Sequence, residues 1–323
     1  GIMRQVRSSV LRLVDDERPT EDLLAIDRVL RPTLAKAGVA QPGSDEPALD
    51  PQQHLERQIG DLVFDADRPY GLRRTLRDLG RTASLARDRL SVDSWRILRA
   101  LQPDGFARRP GLAVPGRRPR IAGVLGQLDQ DIQRLAAFSG MGMENMTRSF
   151  GWRFLGMGRR IERSMQTVAL LGSLLDAGEP EDDGSLILVL DIADSFMTYR
   201  SRYLLTPQLA PVIDLLLLDE TNPRSVAFQL EVLAGHLERL PHESAGPGGS
   251  SELGIVHGAL AQLRLADIGS LARKGRLGDR PGLSALLGDV AEDLPKLTTG
   301  ITRTYFSHAE DVRTVATVGV ATP

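Results

Sequence analysis

The residues with the clearest chemical potential lie between Glu144 and Arg163, where five arginines and two glutamates are set among apolar residues. This signature stretch combines two kinds of group. Guanidinium groups bind carboxylates and phosphates through charge-assisted hydrogen bonds, and a carboxylate in a pocket can act as a general base. Catalysis would use Glu162 or Glu144 as the base. The arginines of the stretch that we predict to bind an anion are Arg148, Arg153, Arg160 and Arg163.

Projection at 100° per residue divides the stretch and the residues after it into helical faces. One face is apolar and predicts a packed stripe of Phe154, Met157, Ile161, Met165, Val168, Leu171 and Leu175. Arg159 and Arg163 point away from this stripe, while Arg160 and Glu162 lie on opposite shoulders of it. A solvated Glu162–Arg159 pair contributes no more than about 0.5 kcal/mol. If other helices cover the shoulders, each charged group needs hydrogen-bonded partners.

Two later segments carry residues that could complete such a site. The segment 191–203 carries polar residues along one side of a predicted helix. The segment 214–225 ends one apolar helix with two carboxylates and begins the next helix. The binding candidates from these segments are Tyr199, Arg200, Arg202, Asp219, Glu220, Asn222 and Arg224.

Several common chemistries are excluded or disfavoured. The chain has no cysteine, which removes disulfides and thiolate chemistry. It has no phosphate-binding loop, dinucleotide loop or serine nucleophile elbow. The five histidines show no metal-ligand spacing, and we expect His236 to be an ordinary surface histidine. We therefore predict no metal site and no cofactor.

Glycine and proline divide the chain into long helical segments with no period-two strands between them. We predict an all-α, multi-helix bundle of about ten to twelve helices, including single helices over 185–204 and 252–273. Ser91 is predicted to cap one helix, and Asn222–Pro223 to begin another. The glycines at 140 and 142 predict a kink or break, with the signature helix beginning near Met143.

The chain has 40 basic and 42 acidic residues and a formal net charge of −2. This balance gives no long-range attraction for nucleic acid or an anionic membrane. No leader pattern or uninterrupted apolar span is present, so we expect a cytoplasmic protein without membrane contact. Residues 1–323 are expected to form one helical domain, with two lobes joined near 241–250 as the alternative.

The signature stretch resembles the second Glu-Arg helix of the bacterial alpha-E domain, an all-helical domain. Other stretches that resemble this family are 86–101, with Arg87, Asp88, Ser91 and Trp95, then 197–203, 214–225 and 305–308. The family's first signature helix, with its own Glu-Arg motif, has no match between Gly1 and Leu13. We therefore expect that helix to be missing.

The resemblance implies association with circularly permuted ATP-grasp ligases and with transglutaminase-like proteins. ATP and Mg²⁺ would then come only through the partner ligase. Three functions remain open: an accessory module that binds a peptide-like or anionic substrate or the ligase itself, an enzyme of the same system that uses Glu162, and a structural scaffold with a buried ion-pair network. A homo-oligomer is compatible with each of them.

Overall fold

The computed structural model describes residues 1–14, 20–39, 50–102, 122–175, 183–203, 206–241, 251–276 and 278–306. These residues form α-helices and short turns, and no strand occurs among them, so the predicted all-α class is confirmed. The α-helices are α1 (Ile2–Val14), α2 (Thr20–Lys36), α3 (Pro51–Phe64), α4 (Leu72–Leu85), α5 (Val92–Ala100), α6 (Ala122–Asn145), α7 (Phe150–Gly172), α8 (Asp183–Ile192), α9 (Phe196–Tyr203), α10 (Leu209–Ile213), α11 (Val226–Leu237), α12 (Ser251–Leu265), α13 (Ile268–Ala272) and α14 (Pro281–Tyr305). A π-helical turn, Asp214–Leu218, follows α10, and 3₁₀ turns cover Arg87–Arg89 and Ser173–Leu175.

The chain divides into two compact units. The first unit comprises Gly1–Trp152 and Glu179–Gln208, and the second comprises Arg153–Gly178 and Leu209–Pro323. Helix α7 therefore contributes its first turn to one unit and the rest of its length to the other. Residues 242–250 lie outside the described residues, so the alternative of lobes joined near 241–250 stays a prediction.

In the first unit, α1 packs against α2, α6 and α8. The buried residues of α1 include Val6, Val10 and Leu13, which follow helical spacing. This spacing gives the helix one apolar face, and that face packs into the core. Arg12 is also buried, and its guanidinium donates to Asp22, to Asp191 and to the carbonyl of Gly184. These three bonds compensate the burial of the charge and connect α1 with α2 and α8.

In the second unit, α12 packs against α11 and α14. Helix α14 begins with Pro281, whose missing N–H is not needed in a first turn. Its buried residues recur at alternating steps of four and three, which gives one continuous apolar face. These residues are Leu283, Leu287, Val290, Leu294, Leu297 and Ile301.

The predicted kink or break at the glycines 140 and 142 does not take the form of a break. Helix α6 continues through both to Asn145, and the interruption lies at 146–149, so α7 begins at Phe150 and not near Met143. Two glycines cost about 2 kcal/mol of helix propensity, which is too little to end a helix of 24 residues. The neighbouring turns and the packing of α6 on α1 and α5 offset that cost.

Two predicted single helices are interrupted. The segment 185–204 breaks after Ile192, because Asp194 adopts a positive φ of 56°, a conformation that ends a helix. The segment 252–273 breaks after Leu265, and Asp267 then caps α13 by accepting from the N–H of Ser270 at 2.7 Å. The predicted Ser91 cap of α5 is confirmed, since its Oγ accepts from the N–H of Ser94 at 3.1 Å.

Candidate anion-binding site

Helix α7 contacts α11 and the turn that precedes it, all within the second unit. Arg160 donates to Oε1 of Gln229 at 3.0 Å, Arg163 donates to the carbonyl of Pro223 at 3.3 Å, and Thr167 donates to the carbonyl of Arg224 at 3.3 Å. The contacts on α11 move toward its N-terminus as those on α7 move toward its C-terminus. The two helices therefore run in opposite directions along the site.

The predicted apolar stripe of α7 is confirmed at its centre. Met157, Ile161, Val168 and Leu171 are buried, whereas Met165 is exposed. Phe154 is partly buried and contacts the rings of Tyr305 and Phe306 of the last helix. This stripe fixes the rotation of α7, and it thereby directs the Arg160 shoulder toward α11.

The turn 219–225 is held by its own side chains. Asn222 is buried, donates to the carbonyl of Leu215 at 2.8 Å and accepts from the N–H of Arg224 at 3.1 Å. Ser225 donates to the carbonyl of Asp219 and accepts from the N–H of Phe228 at 3.0 Å. Ser225 is thus the N-cap of α11, and the prediction that Asn222–Pro223 begins this helix is wrong by three residues. Asn222 instead braces the turn.

The carboxylates of this turn are already engaged. Oδ1 of Asp219 accepts from the N–H and the hydroxyl of Thr221, both at 2.7 Å. Glu220 is exposed and pairs with Arg264 at 2.6 Å, and that hydrogen bond lowers the pKa of Glu220 below its ordinary value. These contacts hold Asp219 within its own turn and join Glu220 to α12.

Arg160 is the centre of the candidate site. Its guanidinium lies 5.6 Å from the ring centroid of Phe228, and its Nε is buried without a hydrogen-bond partner among the described residues. The hydroxyl of Ser164, one helical turn along α7, is also buried without a hydrogen-bond partner among the described residues. Burial lowers the pKa of Arg160, and the positive charges of Arg159 and Arg224 lower it further. Arg160 is therefore a cation whose charged form is disfavoured by its surroundings.

His236 on α11 lies within this positive surrounding. It is buried, and its Nε2 lies so close to Gly156 that a β-carbon there would be 2.7 Å away. Burial lowers the pKa of His236, and the charges of Arg160, Arg153 and Arg239 lower it further. The expectation that His236 is a surface histidine is wrong, because packing of α11 on α7 covers it.

The predicted binding residues fall into two groups. Arg153, Arg160, Arg163, Asn222 and Arg224 belong to the second unit and surround the contact of α7 with α11 and its turn. Arg148, Tyr199, Arg200 and Arg202 belong to the first unit.

The candidates in the first unit have other surroundings. Arg148 is exposed and lies over the ring of Trp152 at 4.6 Å. Tyr199 is fully buried, and its hydroxyl accepts from the N–H of Gln208 at 3.0 Å and donates to the carbonyl of Thr206 at 3.4 Å. Tyr199 thus anchors the segment after α9, while Arg200 and Arg202 are exposed.

The two candidate catalytic glutamates are both exposed. Glu162 lies on α7 in the second unit and Glu144 near the end of α6 in the first. No group of three or more histidines, aspartates or glutamates suited to a metal ion occurs within the described ranges.

Three residues of the site were not identified from the sequence: Ser164, Gln229 and His236. A local signal existed only on α7, where Gly156, Arg160 and Ser164 recur every four residues and so share one face. The small residues at 156 and 164 flank the arginine and allow α11 to approach. The α11 residues carry no local signal, because their role comes from tertiary packing.

The comparisons with known proteins agree with this architecture. The chain belongs to the Alpha-E family, whose model matches residues 1–306 and is described as a predicted alpha-helical domain with a conserved ER motif. In α7 the Glu162–Arg163 pair has that form. No solved structure matches the chain.

Two similar proteins are an uncharacterized protein of Mycobacterium tuberculosis and one of Mycobacterium bovis, each 29% identical over 286 residues. The match covers 85% of this chain but only 30% of either relative, so the chain spans less than a third of their length. Among the described helices, none is both long enough and apolar enough to cross a membrane.

Proposed function

We propose that the chain is an accessory, non-catalytic helical module that binds an anionic group through the arginines around Arg160. The group is a carboxylate of a peptide-like substrate or of a partner protein. The module would serve a system that makes or modifies peptide or amide bonds.

The observation that carries the proposal is that the guanidinium of Arg160 is partly buried next to other positive charges. A buried donor without a partner costs roughly 1–3 kcal/mol, more when the group is charged. Burial and two neighbouring arginines disfavour the charge as well. An anion bound beside the guanidinium would offset the repulsion from the neighbouring arginines, and charge-assisted hydrogen bonds are about twice as strong as neutral ones. The site is therefore better suited to a bound anion than to solvent.

The partners follow from the family resemblance. A circularly permuted ATP-grasp ligase and a transglutaminase-like protein are the proposed partners, and the ligase would bring its own ATP and Mg²⁺. Such a ligase works where ATP is available, so the proposed location is the cytoplasm. Arg148, Arg200 and Arg202, exposed on the first unit, are the proposed contacts for the partner's own acidic surface.

No described feature favours the catalytic alternative, since Glu162 and Glu144 are exposed. The scaffold alternative is supported by the buried Arg12 with its two aspartates. That ion-pair network lies in the first unit and does not include Glu162, so it stabilises the bundle without accounting for the arginines of α7.

The test is calorimetric titration of the full chain with a tripeptide that has a free C-terminal carboxylate and with its C-terminal amide. The carboxylate form should bind and the amide form should not. Arg160→Gln should weaken binding about tenfold or more, since it removes a charge-assisted contact. Arg160→Lys keeps the charge but loses the planar fork, so an intermediate affinity is expected.

The control is Arg276→Gln, which removes an exposed arginine of the same unit. It should change the affinity less than twofold, and melting curves must show that every variant is folded. Equal binding of acid and amide, or an unchanged affinity for Arg160→Gln, would refute the proposal. Co-purification with a candidate ligase then tests the partner.

A further inference from the structure

Helices α4 and α5 form a basic hairpin in the first compact unit. Between residues 72 and 102 the sequence has eight arginines and three aspartates, an excess of five positive charges in a chain whose formal net charge is −2. Helix α4 packs against α3 and α5, and α5 packs against α6. The basic residues of the hairpin are Arg73, Arg74, Arg77, Arg81, Arg87, Arg89, Arg96 and Arg99.

A groove of about 290 Å³ runs between the two helices. Trp95 and Leu98 of α5 form one wall, and the small residues Ala83 and Ser84 of α4 form the other. Trp95 is only partly buried, so part of its indole faces the groove. An indole beside small residues leaves room for a flat or branched apolar group.

Two of the lining residues, Gln102 and Gly80, pack directly against each other. The side-chain amide of Gln102 lies so close to Gly80 that a β-carbon there would be 2.1 Å from its oxygen. The same amide donates to the carbonyl of Leu98 at 3.3 Å. Any larger residue at position 80 would displace the amide, so the lining depends on this glycine.

The positive charge beside the groove is only partly neutralised by ion pairs. Arg81 pairs with Asp78 at 3.3 Å and Arg96 pairs with Asp93 at 3.7 Å. Arg99 lines the groove, is exposed, and has no ion-pair partner among the described residues. Arg87 lies over the ring of Trp95 at 5.1 Å, which adds a second positive charge next to the indole.

Exposed apolar side chains extend this surface at the turn of the hairpin. Leu85 is 84% exposed and Val92 is 58% exposed. Large apolar groups beside an open groove and a basic rim are typical of a surface that binds a partner. The feature lies in the first unit and is independent of the arginine site on α7.

We propose that the groove between α4 and α5 binds an acidic peptide segment of another protein, with one large apolar side chain beside Trp95 and carboxylates facing Arg99. The volume suits this occupant, because ligand pockets usually measure about 300–1,000 Å³ and this groove lies at the small end. It has room for one or two side chains and not for a whole cofactor. The excess of positive charge selects an acidic sequence.

A peptide fits better than nucleic acid. The chain as a whole carries no excess of positive charge, and single-strand binders need a basic channel with several aromatic platforms. The groove has one indole, and Arg87 already lies over its ring. Its apolar lining matches an aliphatic or aromatic side chain.

Tryptophan fluorescence gives a direct readout. The chain has two tryptophans, so Trp152→Phe in the full chain leaves Trp95 as the only one. The probe is a short glutamate-rich peptide with a single central leucine. It should change the Trp95 emission saturably. The same peptide with a central serine, a lysine-rich peptide with the leucine, and single-stranded oligothymidylate should each bind at least about tenfold more weakly.

Variants then locate the peptide. Ser84→Phe fills the groove from an exposed position and should abolish the saturable change. Arg99→Glu should weaken binding about fivefold or more, because it reverses the unpaired charge on the rim. Arg96→Glu reverses a charge on the same helix that does not line the groove, and it should change the affinity less than twofold.

Three outcomes overturn the proposal. The first is the absence of any saturable change with the leucine peptide. The second is equal binding of the serine peptide, which would mean that no side chain enters the groove. The third is tighter binding of oligothymidylate that is lost in Arg99→Glu, which would assign the surface to nucleic acid.

Discussion

The imidazole of His236 rests directly on Gly156 of α7. A β-carbon on Gly156 would be 2.7 Å from Nε2 of His236, closer than real β-carbons approach another heavy atom. The glycine therefore sets the distance between α7 and α11 at this end of the arginine site. Three predictions concern this contact, the charges around it and the buried ion pairs of the first unit.

Gly156→Ala is expected to destabilise the chain by about 1–3 kcal/mol, since the added methyl must displace a buried side chain. Gly158→Ala is the matched control on the same helix, because a β-carbon there meets nothing within 4 Å. It should be neutral or stabilising by up to about 1 kcal/mol through helix propensity. Urea unfolding measures both, and effects of the same sign and size would contradict the close contact.

Stability should fall with acid through His236. Its pKa is lowered from the ordinary 6.5 by burial and by Arg160, Arg153 and Arg239. At a pH between the folded and the unfolded pKa of His236, the unfolded chain binds a proton on this residue that the folded chain does not bind. The contribution of His236 to the free energy of unfolding is therefore fully present above about pH 6.5, and it is lost as the pH falls toward the folded pKa. His236→Gln should remove this part of the dependence. Unfolding free energies of both proteins at pH 7.5 and 5.5 provide the measurement, and parallel losses would exclude His236 as the source.

Arg12→Met should destabilise the first unit by roughly 2–4 kcal/mol, because it leaves Asp22 and Asp191 without their buried cation. Arg4→Met removes a comparable ion pair with Asp194, but its side chains are 36% and 53% exposed. That variant should lose less than about 1 kcal/mol. Chemical unfolding at low and high salt measures the free energy of unfolding of both variants. Equal losses of stability in the two variants would argue against the buried network.

The helices that the sequence predicted best are those whose signal is local. The repeat of Leu283, Leu287, Val290 and Leu294 is such a local signal, and these residues form the buried face of α14. Interruptions were harder to place. The glycines at 140 and 142 do not end α6, and the predicted helix 185–204 is broken at Asp194 by a positive φ that the sequence does not reveal.

In the candidate site, too, only the residues with a local sequence signal could be predicted. An excess of arginine on one helix indicated anion binding, but Gln229 lies 69 residues from Arg160 and acquires its role only when α11 packs on α7. The difference between Glu162 and Arg160 comes from burial. Projection placed Glu162 and Arg160 on equivalent shoulders, and only the neighbouring helix distinguishes the exposed glutamate from the arginine with a buried Nε.

The π-helical turn Asp214–Leu218 makes the spacing of the site sensitive to chain length. Its closing bond joins the N–H of Asp219 to the carbonyl of Asp214, five residues back, so one residue more is accommodated than in an α-helical turn. The carbonyl of Leu215 is then left for Asn222, which braces the turn that presents Pro223 and Arg224 to α7. Removing one residue from this turn would rotate everything after it by about 100°. Segment length here is thus constrained as strictly as residue identity, and homologous chains that share this site should show no insertions or deletions between Ile213 and Ser225.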